Sequence, residues 1–184
     1  CLKRFAQVIK EKPEGNVRIV GTNALRAAKN SRQFNNRAAE ILGAPIEIIA
    51  GREEARLIYL GVSHTLSDDQ GRRLVIDIGG GSTEFIIGER FEAQELESLH
   101  MGCVSYRNRF FDDGKITRES FDRAVTAASL EILNIRETYT RRGWQGAVGS
   151  SGSIKAIANV MLQEGLSSEG ITWLGRRELR EKMV

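Results

Sequence analysis

Apolar residues recur along this chain with two different spacings, and these spacings predict an alternation of helices and strands. Near the start they return every three or four positions, which is typical of an amphipathic helix. Further along, short β-branched runs stand between glycine-rich or polar breaks, which is typical of strands. The predicted helices cover residues 2–11, 24–29, 33–42, 51–66, 116–141, 153–163 and 176–183. The predicted strands cover residues 17–20, 46–49, 73–78, 84–89, 91–99 and 147–149, and we expect the strand at 46–49 to be buried. Because strands alternate with helices, the expected fold class is α/β.

A polar stretch near the middle of the chain separates two groups of predicted elements. Residues 67–71 read Ser-Asp-Asp-Gln-Gly and interrupt the helical pattern that precedes them. Polar clusters that contain glycine mark loops and linkers. We therefore expect two domains, one formed by residues 1–69 and the other by residues 70–184.

A glycine-rich segment in the second half carries the most specific chemical signal. An apolar run ends on Asp77, the segment Gly79–Thr83 follows, and Glu84 opens the next apolar run. Glycines allow consecutive backbone N–H groups to form a concave nest that suits a phosphate, and hydroxyl groups can add further donors. The candidate phosphate ligands in this segment are Gly79, Gly80, Gly81, Ser82 and Thr83.

The two flanking acids indicate that a cation accompanies the phosphate. At about 4 Å and an effective dielectric constant of about 20, a carboxylate and a phosphate charge repel by roughly 4 kcal/mol. A hard divalent cation such as Mg²⁺ binds one or two carboxylates together with phosphate oxygens. Asp77 and Glu84 are therefore the candidate metal ligands. The alternative is a tight hairpin turn without a ligand, although such turns need only one or two glycines.

The residues after the glycines distinguish this segment from other phosphate loops. Walker loops and dinucleotide fingerprints open into a helix, whereas residues 84–88 read Glu-Phe-Ile-Ile-Gly and predict a strand. The order strand, glycine-rich turn, strand resembles the phosphate loops of the superfamily that contains actin, the sugar kinases and the heat-shock chaperone ATPases.

A pair of adjacent glutamates begins the helix predicted from residue 51. Glu54 has apolar residues three and four positions later, so it leans towards the apolar face of that helix. A carboxylate held against apolar groups has a raised pKa, which suits a general base. The alternative is that Glu53 and Glu54 only favour the positive end of the helix dipole.

Two further segments place small or polar residues at the start of a helix. In Gly21–Arg26 a capped helix follows a strand, and Arg26 on its first turn could hold a phosphoryl oxygen. In Gly149–Ser153 a small-residue loop opens a helix that also carries Lys155, so Gly152 and Ser153 are candidate phosphate ligands. In both segments an ordinary capped helix is the alternative.

The composition of the chain argues against several classes of protein. The 184 residues are 41% hydrophobic and 28% charged, which fits a globular protein, and no apolar run approaches the length of a membrane span. The first residues do not read as a signal peptide, and no basic run predicts nucleic-acid binding.

Two distant cysteines indicate free thiols and hence the cytoplasm, with Cys103 expected to be a small core residue. Two isolated histidines argue against a zinc site or a Ser-His-Asp triad.

Taken together, these motifs resemble the exopolyphosphatase/guanosine pentaphosphate phosphohydrolase (Ppx/GppA) family. The matching stretches are Val17–Arg26, Ile46–Arg56, Leu74–Glu84, Met101–Ser105 and Gly149–Lys155.

The resemblance implies two actin-like domains (the ASKHA, ribonuclease H-like architecture) that face each other across a cleft. It implies that Glu54 is the catalytic base that activates water and that Arg26 is an active-site arginine. It further implies that Asp77 and Glu84 lie near the metal and the phosphate, and that Gly79–Thr83 is the phosphate loop of the second domain.

The activity implied by the resemblance is release of the terminal phosphoryl group from inorganic polyphosphate or guanosine pentaphosphate, with Mg²⁺ or another divalent cation as cofactor. It also implies a homodimer of the full-length protein. The family's Asp-x-Gly-Ser-Asn loop is absent from these residues, so we expect the chain to be a fragment with both domains incomplete. The alternatives are an ATP-dependent kinase or ATPase of the same superfamily, and a non-catalytic sensor that binds the alarmone or polyphosphate.

Overall fold

The computed structural model describes residues 1–13, 15–66, 71–168 and 170–183. The chain divides into two compact units, Cys1–Glu54 and Ala55–Val184, which are described separately below. The domain boundary that the sequence predicts at residue 69 lies outside the described residues. The division into residues 1–69 and 70–184 therefore stays a prediction.

The first unit is a small helical layer with one pair of short strands. Its elements are α1 (Leu2–Lys10), β1 (Val20–Gly21), α2 (Asn23–Ala27), α3 (Ser31–Leu42), β2 (Glu47–Ile48) and the start of α4 (Gly51–Thr65). β1 and β2 are parallel, with Val20 opposite Glu47. Ala6, Ala38 and Leu42 form its buried core. Gly43, with φ of 75°, ends α3 in the left-handed conformation that glycine adopts without strain.

The strands of the first unit are shorter than the sequence predicts. The apolar run at 17–20 contributes only Val20 to a strand, and the run at 46–49 contributes only Glu47 and Ile48, both of which are exposed. The expectation of a buried strand at 46–49 is thus wrong for these two residues, although Ile49 is buried. A β-branched run forms a strand only where a neighbouring backbone pairs with it, and the run itself does not reveal that neighbour.

The second unit contains a four-stranded sheet with the order β5-β4-β3-β6. β3 (Arg72–Ile78), β4 (Thr83–Glu89) and β5 (Glu92–Leu99) form an antiparallel meander, and β6 (Gly146–Ser150) runs parallel to β3. Its helices, besides the rest of α4, are α5 (Cys103–Phe110), α6 (Arg118–Arg142), α7 (Ser151–Gln163) and α8 (Trp173–Met183).

Both faces of this sheet are covered by apolar side chains. On one face Leu74 packs in a buried cluster that includes Ile135 and Tyr139 of α6. On the other face the adjacent residue Val75 packs in a cluster with Ala55 and Tyr59 of α4. Successive strand residues point to opposite faces, so the continuous apolar run of β3 packs against α6 on one face of the sheet and against α4 on the other. This double burial fixes the position of the segment that follows β3.

The structure adds one helix that the sequence pattern does not predict. α5 begins at Cys103, whose side chain is exposed, so the expectation that Cys103 is a small core residue is wrong. The residue before it, Gly102, is the one that packs tightly. Within the described ranges, no helix has both the length and the apolar character needed to cross a bilayer.

Candidate phosphate-binding site

The glycine-rich segment forms a tight turn between β3 and β4. Ile78 and Thr83 are the last paired residues of the two strands. The Gly79 N–H donates to the Ser82 carbonyl oxygen at 3.0 Å and closes the turn. Ser82 and Thr83 are buried, whereas Gly80 is exposed. The segment therefore exposes Gly80 at the surface, with Gly79 and Gly81 half-buried beside it, and buries its hydroxyl residues.

The carbonyl oxygens of this turn are bound by the first residues of α5. The Cys103 N–H donates to the Gly79 oxygen at 3.0 Å. The Gly80 oxygen accepts from the N–H groups of Val104 at 2.9 Å and Ser105 at 3.0 Å. The first N–H groups of a helix have no partner within the helix, so they are available for such contacts.

Three consecutive backbone donors of the turn remain available. Among the residues that the structure describes, no partner accepts the N–H groups of Gly80, Gly81 and Ser82. An array of neighbouring N–H groups in a glycine-rich turn is the kind of concavity that binds anions. The hydroxyl of Thr83, in contrast, donates its hydrogen to the Met101 carbonyl oxygen.

The two flanking acids are directly opposite each other on neighbouring strands. Asp77 of β3 pairs in register with Glu84 of β4, so both side chains lie on the same face of the sheet. The same row extends to Ser98 of β5 and to Ser150 of β6. The Glu84 side chain is only 1% exposed, and one of its oxygens accepts a hydrogen bond from the Ser98 hydroxyl at 2.8 Å.

This pair of carboxylates fits a magnesium ion. Like charges directly opposite each other on a sheet are destabilising, and a cation between them removes that repulsion. Among the described residues, no cluster of three or more His, Cys, Asp or Glu side chains could hold a metal ion. Mg²⁺ does not need one, because it usually binds through one or two carboxylates together with waters and substrate phosphates.

The start of α7 lies beside the same turn. The Ser151 hydroxyl donates to the carbonyl oxygen of Ile78, the last residue of β3, at 2.8 Å. Ser151 has φ of 70°, a left-handed conformation that is uncommon for residues other than glycine and frequent at functional sites. Gly152 is exposed, with open space where a side chain would begin, and Ser153 follows on the first turn of the helix. A helix N-terminus with such free access favours an anion.

The first unit holds the other two predicted site residues in contact with each other. The Arg26 guanidinium donates to the Glu54 carboxylate at 3.3 Å and also to the Ile49 carbonyl oxygen. The side chains of Arg26 and Glu54 are 28% and 16% exposed. The surroundings of Glu54 are therefore less apolar than its helical spacing predicts, because an arginine from α2 reaches its carboxylate. This contact holds the carboxylate in one orientation.

Glu53, the neighbour of Glu54, takes part in a different network. Arg18 donates to Glu53 at 2.8 Å and to both oxygens of Glu47, at 2.7 and 2.8 Å. The hydrogen bonds from Arg18 lower the pKa of Glu47 below its ordinary value. Arg18 thus links β2 to the start of α4 through Glu53, while Arg26 contacts Glu54.

The structure brings the predicted site residues together in two groups. In the second unit the turn, the carboxylate pair and the start of α7 surround the end of β3, and in the first unit Arg26 contacts Glu54. Sequence reasoning assigned no role to Gly102 or Ser105, although both belong to the Met-Gly-Cys-Val-Ser stretch. Ser98 was also missed, because only the register of β4 and β5 places it beside Glu84.

Known proteins resemble this chain along its whole length. Over all 184 residues the chain is 47% and 49% identical to two curated proteins, from Aliivibrio fischeri (strain MJ11) and Vibrio campbellii. Both are named guanosine-5'-triphosphate,3'-diphosphate pyrophosphatase. The chain spans 37% of the length of each of these relatives.

Solved structures show the same fold. An exopolyphosphatase-like protein matches with a TM-score of 0.80 and 31% identity, over 88% of this chain and 52% of that chain. The Aquifex aeolicus PPX-GPPA enzyme matches with a TM-score of 0.68 and 29% identity, over 88% of this chain and 52% of that chain. The α/β fold class predicted from the sequence is confirmed, and the fold is that of these two solved structures. The family model of the Ppx/GppA phosphatases matches residues 1–184, and the chain belongs to that family.

Proposed function

We propose that the protein containing this chain is a phosphohydrolase that releases the terminal phosphoryl group of guanosine pentaphosphate or inorganic polyphosphate. The observation that carries the proposal is the turn at Gly79–Thr83, where three backbone N–H groups without a partner among the described residues lie next to a pair of facing carboxylates. The donors suit phosphoryl oxygens, and the carboxylates suit the divalent cation that accompanies a polyphosphate.

In this proposal the backbone of the second unit binds the phosphate chain. The N–H groups of Gly80, Gly81 and Ser82 donate to oxygens of the terminal phosphoryl group. The start of α7, at Gly152 and Ser153, donates to a neighbouring phosphate, since helix N-termini favour negative charge. When bound at Asp77 and Glu84, Mg²⁺ would neutralise charge that develops on the phosphate oxygens.

The first unit supplies the group that activates water. The Glu54 carboxylate accepts a proton from the attacking water, and Arg26 keeps that carboxylate oriented through its two guanidinium contacts. The water oxygen bonds to the terminal phosphorus while the bond from that phosphorus to the bridging oxygen breaks. The charge left on the departing phosphate is stabilised by the start of α7 at Gly152 and Ser153. Phosphoryl transfer depends mainly on positioning and electrostatic stabilisation, which is what this set of residues can provide.

The relatives favour one of the two substrates. Their names specify guanosine-5'-triphosphate,3'-diphosphate, and they are 47% and 49% identical to this chain. We therefore propose guanosine pentaphosphate as the preferred substrate, with inorganic polyphosphate as the second. Both substrates present the same terminal phosphoanhydride to the turn at Gly79–Thr83.

The proposal is tested by measuring orthophosphate release from purified full-length protein with Mg²⁺ and no other nucleotide. We expect release from guanosine pentaphosphate, with guanosine tetraphosphate as the second product, and release from polyphosphate at a lower kcat/KM. A strict requirement for ATP with transfer to an acceptor would instead indicate a kinase. Tight binding of either compound without release of phosphate would indicate a sensor.

A further inference from the structure

The residues before and at the start of α5 hold the glycine turn from several sides. Cys103, Val104 and Ser105 donate backbone N–H groups to the Gly79 and Gly80 carbonyl oxygens, at 2.9 to 3.0 Å. The Met101 carbonyl oxygen accepts the hydroxyl hydrogen of Thr83 at the other end of the turn. The segment Met101–Ser105, hereafter the clamp segment, therefore contacts both ends of the turn.

These contacts decide which way the turn presents its donors. In a trans peptide unit the C=O and the following N–H point in opposite directions. Two C=O groups are directed at α5, those of Gly79 and Gly80, so the N–H groups of Gly80 and Gly81 are directed away from α5. These two N–H groups are among the three without a partner in the described part of the chain. The donors are thus oriented by the helix behind them.

The helix also strengthens these donors. The N-terminus of a helix carries a partial positive charge, and the carbonyl oxygens of the turn accept directly from it. Hydrogen bonds in a chain polarise one another, so a peptide whose oxygen accepts from α5 donates more strongly through its N–H. Ser105 supports the helix start, because its hydroxyl donates to the Gly102 oxygen at 3.0 Å and accepts from the Gly102 N–H at 3.1 Å.

Gly102 allows the clamp segment to approach this closely. A Cβ atom at this position would lie 2.5 Å from the carbonyl carbon and oxygen of Gly80 and from the nitrogen of Gly81. The backbone angles of Gly102, φ −133° and ψ 159°, are accessible to any residue. Glycine is therefore needed here for space and not for conformation.

We propose that the clamp segment is a positioning element for the phosphate site, which orients the N–H groups of Gly80 and Gly81 towards a phosphate without touching it. Gly102 and the backbone N–H of Cys103 are its key groups. This inference rests on one part of the proposed function, namely that a phosphate binds to the turn at Gly79–Thr83.

A substitution of Cys103 tests the clamp segment without changing any residue of the turn. Proline is accepted at the first position of a helix, and the extended backbone of Gly102 is compatible with a following proline. In Cys103→Pro the ring replaces the N–H that donates to Gly79, so the Gly79 carbonyl has to move. Cys103→Ala keeps that N–H and is the matched control, because it removes only the exposed thiol.

Backbone amide proton signals report directly on the N–H donors of the turn. In the unaltered chain we expect the backbone amide proton signals of Gly80, Gly81 and Ser82 to shift on addition of inorganic tripolyphosphate in an NMR titration. In Cys103→Pro we expect these shifts to disappear, while Cys103→Ala retains them. A displacement of the turn by about 1 Å is expected to lower kcat/KM for guanosine pentaphosphate by about 100-fold.

Gly102→Ala provides a second and independent test. It is expected to lose the same amide shifts, whereas Gly146→Ala retains them, because a Cβ at Gly146 meets no atom within 4 Å. Amide signals away from the turn, compared with those of the unaltered chain, verify that each variant is folded.

The outcomes separate this inference from the proposed function. If the amides respond to tripolyphosphate in the unaltered chain and lose that response in Cys103→Pro and Gly102→Ala, the inference stands even when no hydrolysis is detected. If the unaltered protein hydrolyses guanosine pentaphosphate and both variants keep wild-type amide shifts and kcat/KM, the proposed function stands and the clamp segment has no positioning role. Absence of any amide response in the unaltered chain contradicts the inference directly.

Discussion

Asp77 and Glu84 are direct cross-strand partners in the β3–β4 ladder, so two carboxylates share one side of the sheet beside the glycine turn. One of them, Glu84, is almost completely buried. Such an arrangement is unfavourable for folding alone, because like charges directly opposite each other repel. A divalent cation held between the two carboxylates would offset that repulsion.

Removal of one carboxylate tests the metal site. We expect Mg²⁺ to raise the thermal unfolding midpoint of the unaltered chain, with a stabilisation of about 2.7 kcal/mol at roughly 100 times the dissociation constant. In Asp77→Asn this increase should be clearly smaller, because one of the two carboxylate ligands is removed. Asp122→Asn, an exposed acid on α6, is the control and should keep the response. An undiminished Mg²⁺ response in Asp77→Asn would exclude Asp77 as a ligand.

The hydrogen bond from Ser98 to Glu84 should contribute to stability. Ser98→Ala removes a donor to a carboxylate that is 1% exposed, and hydrogen bonds to charged groups contribute about 1.5–3 kcal/mol. The expected result is a loss of that size in the free energy of unfolding, measured by urea denaturation at neutral pH. Ser129→Ala on the exposed surface of α6 should change stability by less than about 0.5 kcal/mol. Equal effects of the two substitutions would contradict a specific role for Ser98.

Two tyrosines predict a loss of stability at alkaline pH. Burial, the largest cause, and the charge of Glu89 raise the pKa of Tyr59 above its ordinary value, and Arg73 opposes them. Burial and the charge of Glu131 likewise raise the pKa of Tyr106. Each group is neutral in both states at low pH, whereas above the unfolded pKa of about 10 only the unfolded state releases the proton freely. The contribution of each neutral tyrosine to the free energy of unfolding is thus complete below about pH 10, and it is lost as the pH rises through the pKa of the folded state.

The measurement is the free energy of unfolding between pH 8 and pH 11. We expect Tyr59→Phe and Tyr106→Phe each to reduce the alkaline slope, with the double variant flatter than either. At pH 8 Tyr59→Phe should also be less stable by about 1 kcal/mol, since the Tyr59 hydroxyl donates to the Arg90 oxygen at 3.0 Å. Alkaline slopes that are identical in all four proteins would show that neither tyrosine controls this transition.

The sequence predicts most of the second unit because its signals are local. The continuous apolar run of β3, the three glycines and the β-branched and aromatic run after them define a hairpin whose observed bounds differ by one residue from the predicted ones. The long helix α6 is marked by Thr117, whose hydroxyl accepts from the Ser120 N–H as a helix cap. These elements follow from spacing and capping alone.

The features that were missed depend on contacts between distant parts of the chain. α5 is capped by Gly102, which is not a strong sequence signal, and its first N–H groups find their acceptors in the turn more than twenty residues earlier. For the same reason Cys103 was misplaced in the core. In the first unit, residues 17–19 have the composition of a strand, but they precede the two residues, Val20 and Gly21, that pair with β2.

The site was predicted unevenly for similar reasons. Glycines and acids near each other in sequence identify the turn, whereas the partners that hold them, Ser98, Ser151 and the clamp segment, are identified only by register and packing. The contact between Arg26 and Glu54 also joins residues that are far apart in sequence. Their catalytic roles remain predictions.

Glu54 is proposed to activate the attacking water, and its neighbour Glu53 allows a direct comparison. The measurement is kcat for orthophosphate release from guanosine pentaphosphate by Glu54→Gln and by Glu53→Gln in the full-length protein. General base catalysis contributes about 10²–10⁴-fold. We predict a loss of that size in Glu54→Gln with substrate binding largely intact, and near wild-type turnover in Glu53→Gln, whose carboxylate binds Arg18 instead. Near wild-type kcat in Glu54→Gln would remove Glu54 from the mechanism and contradict the account.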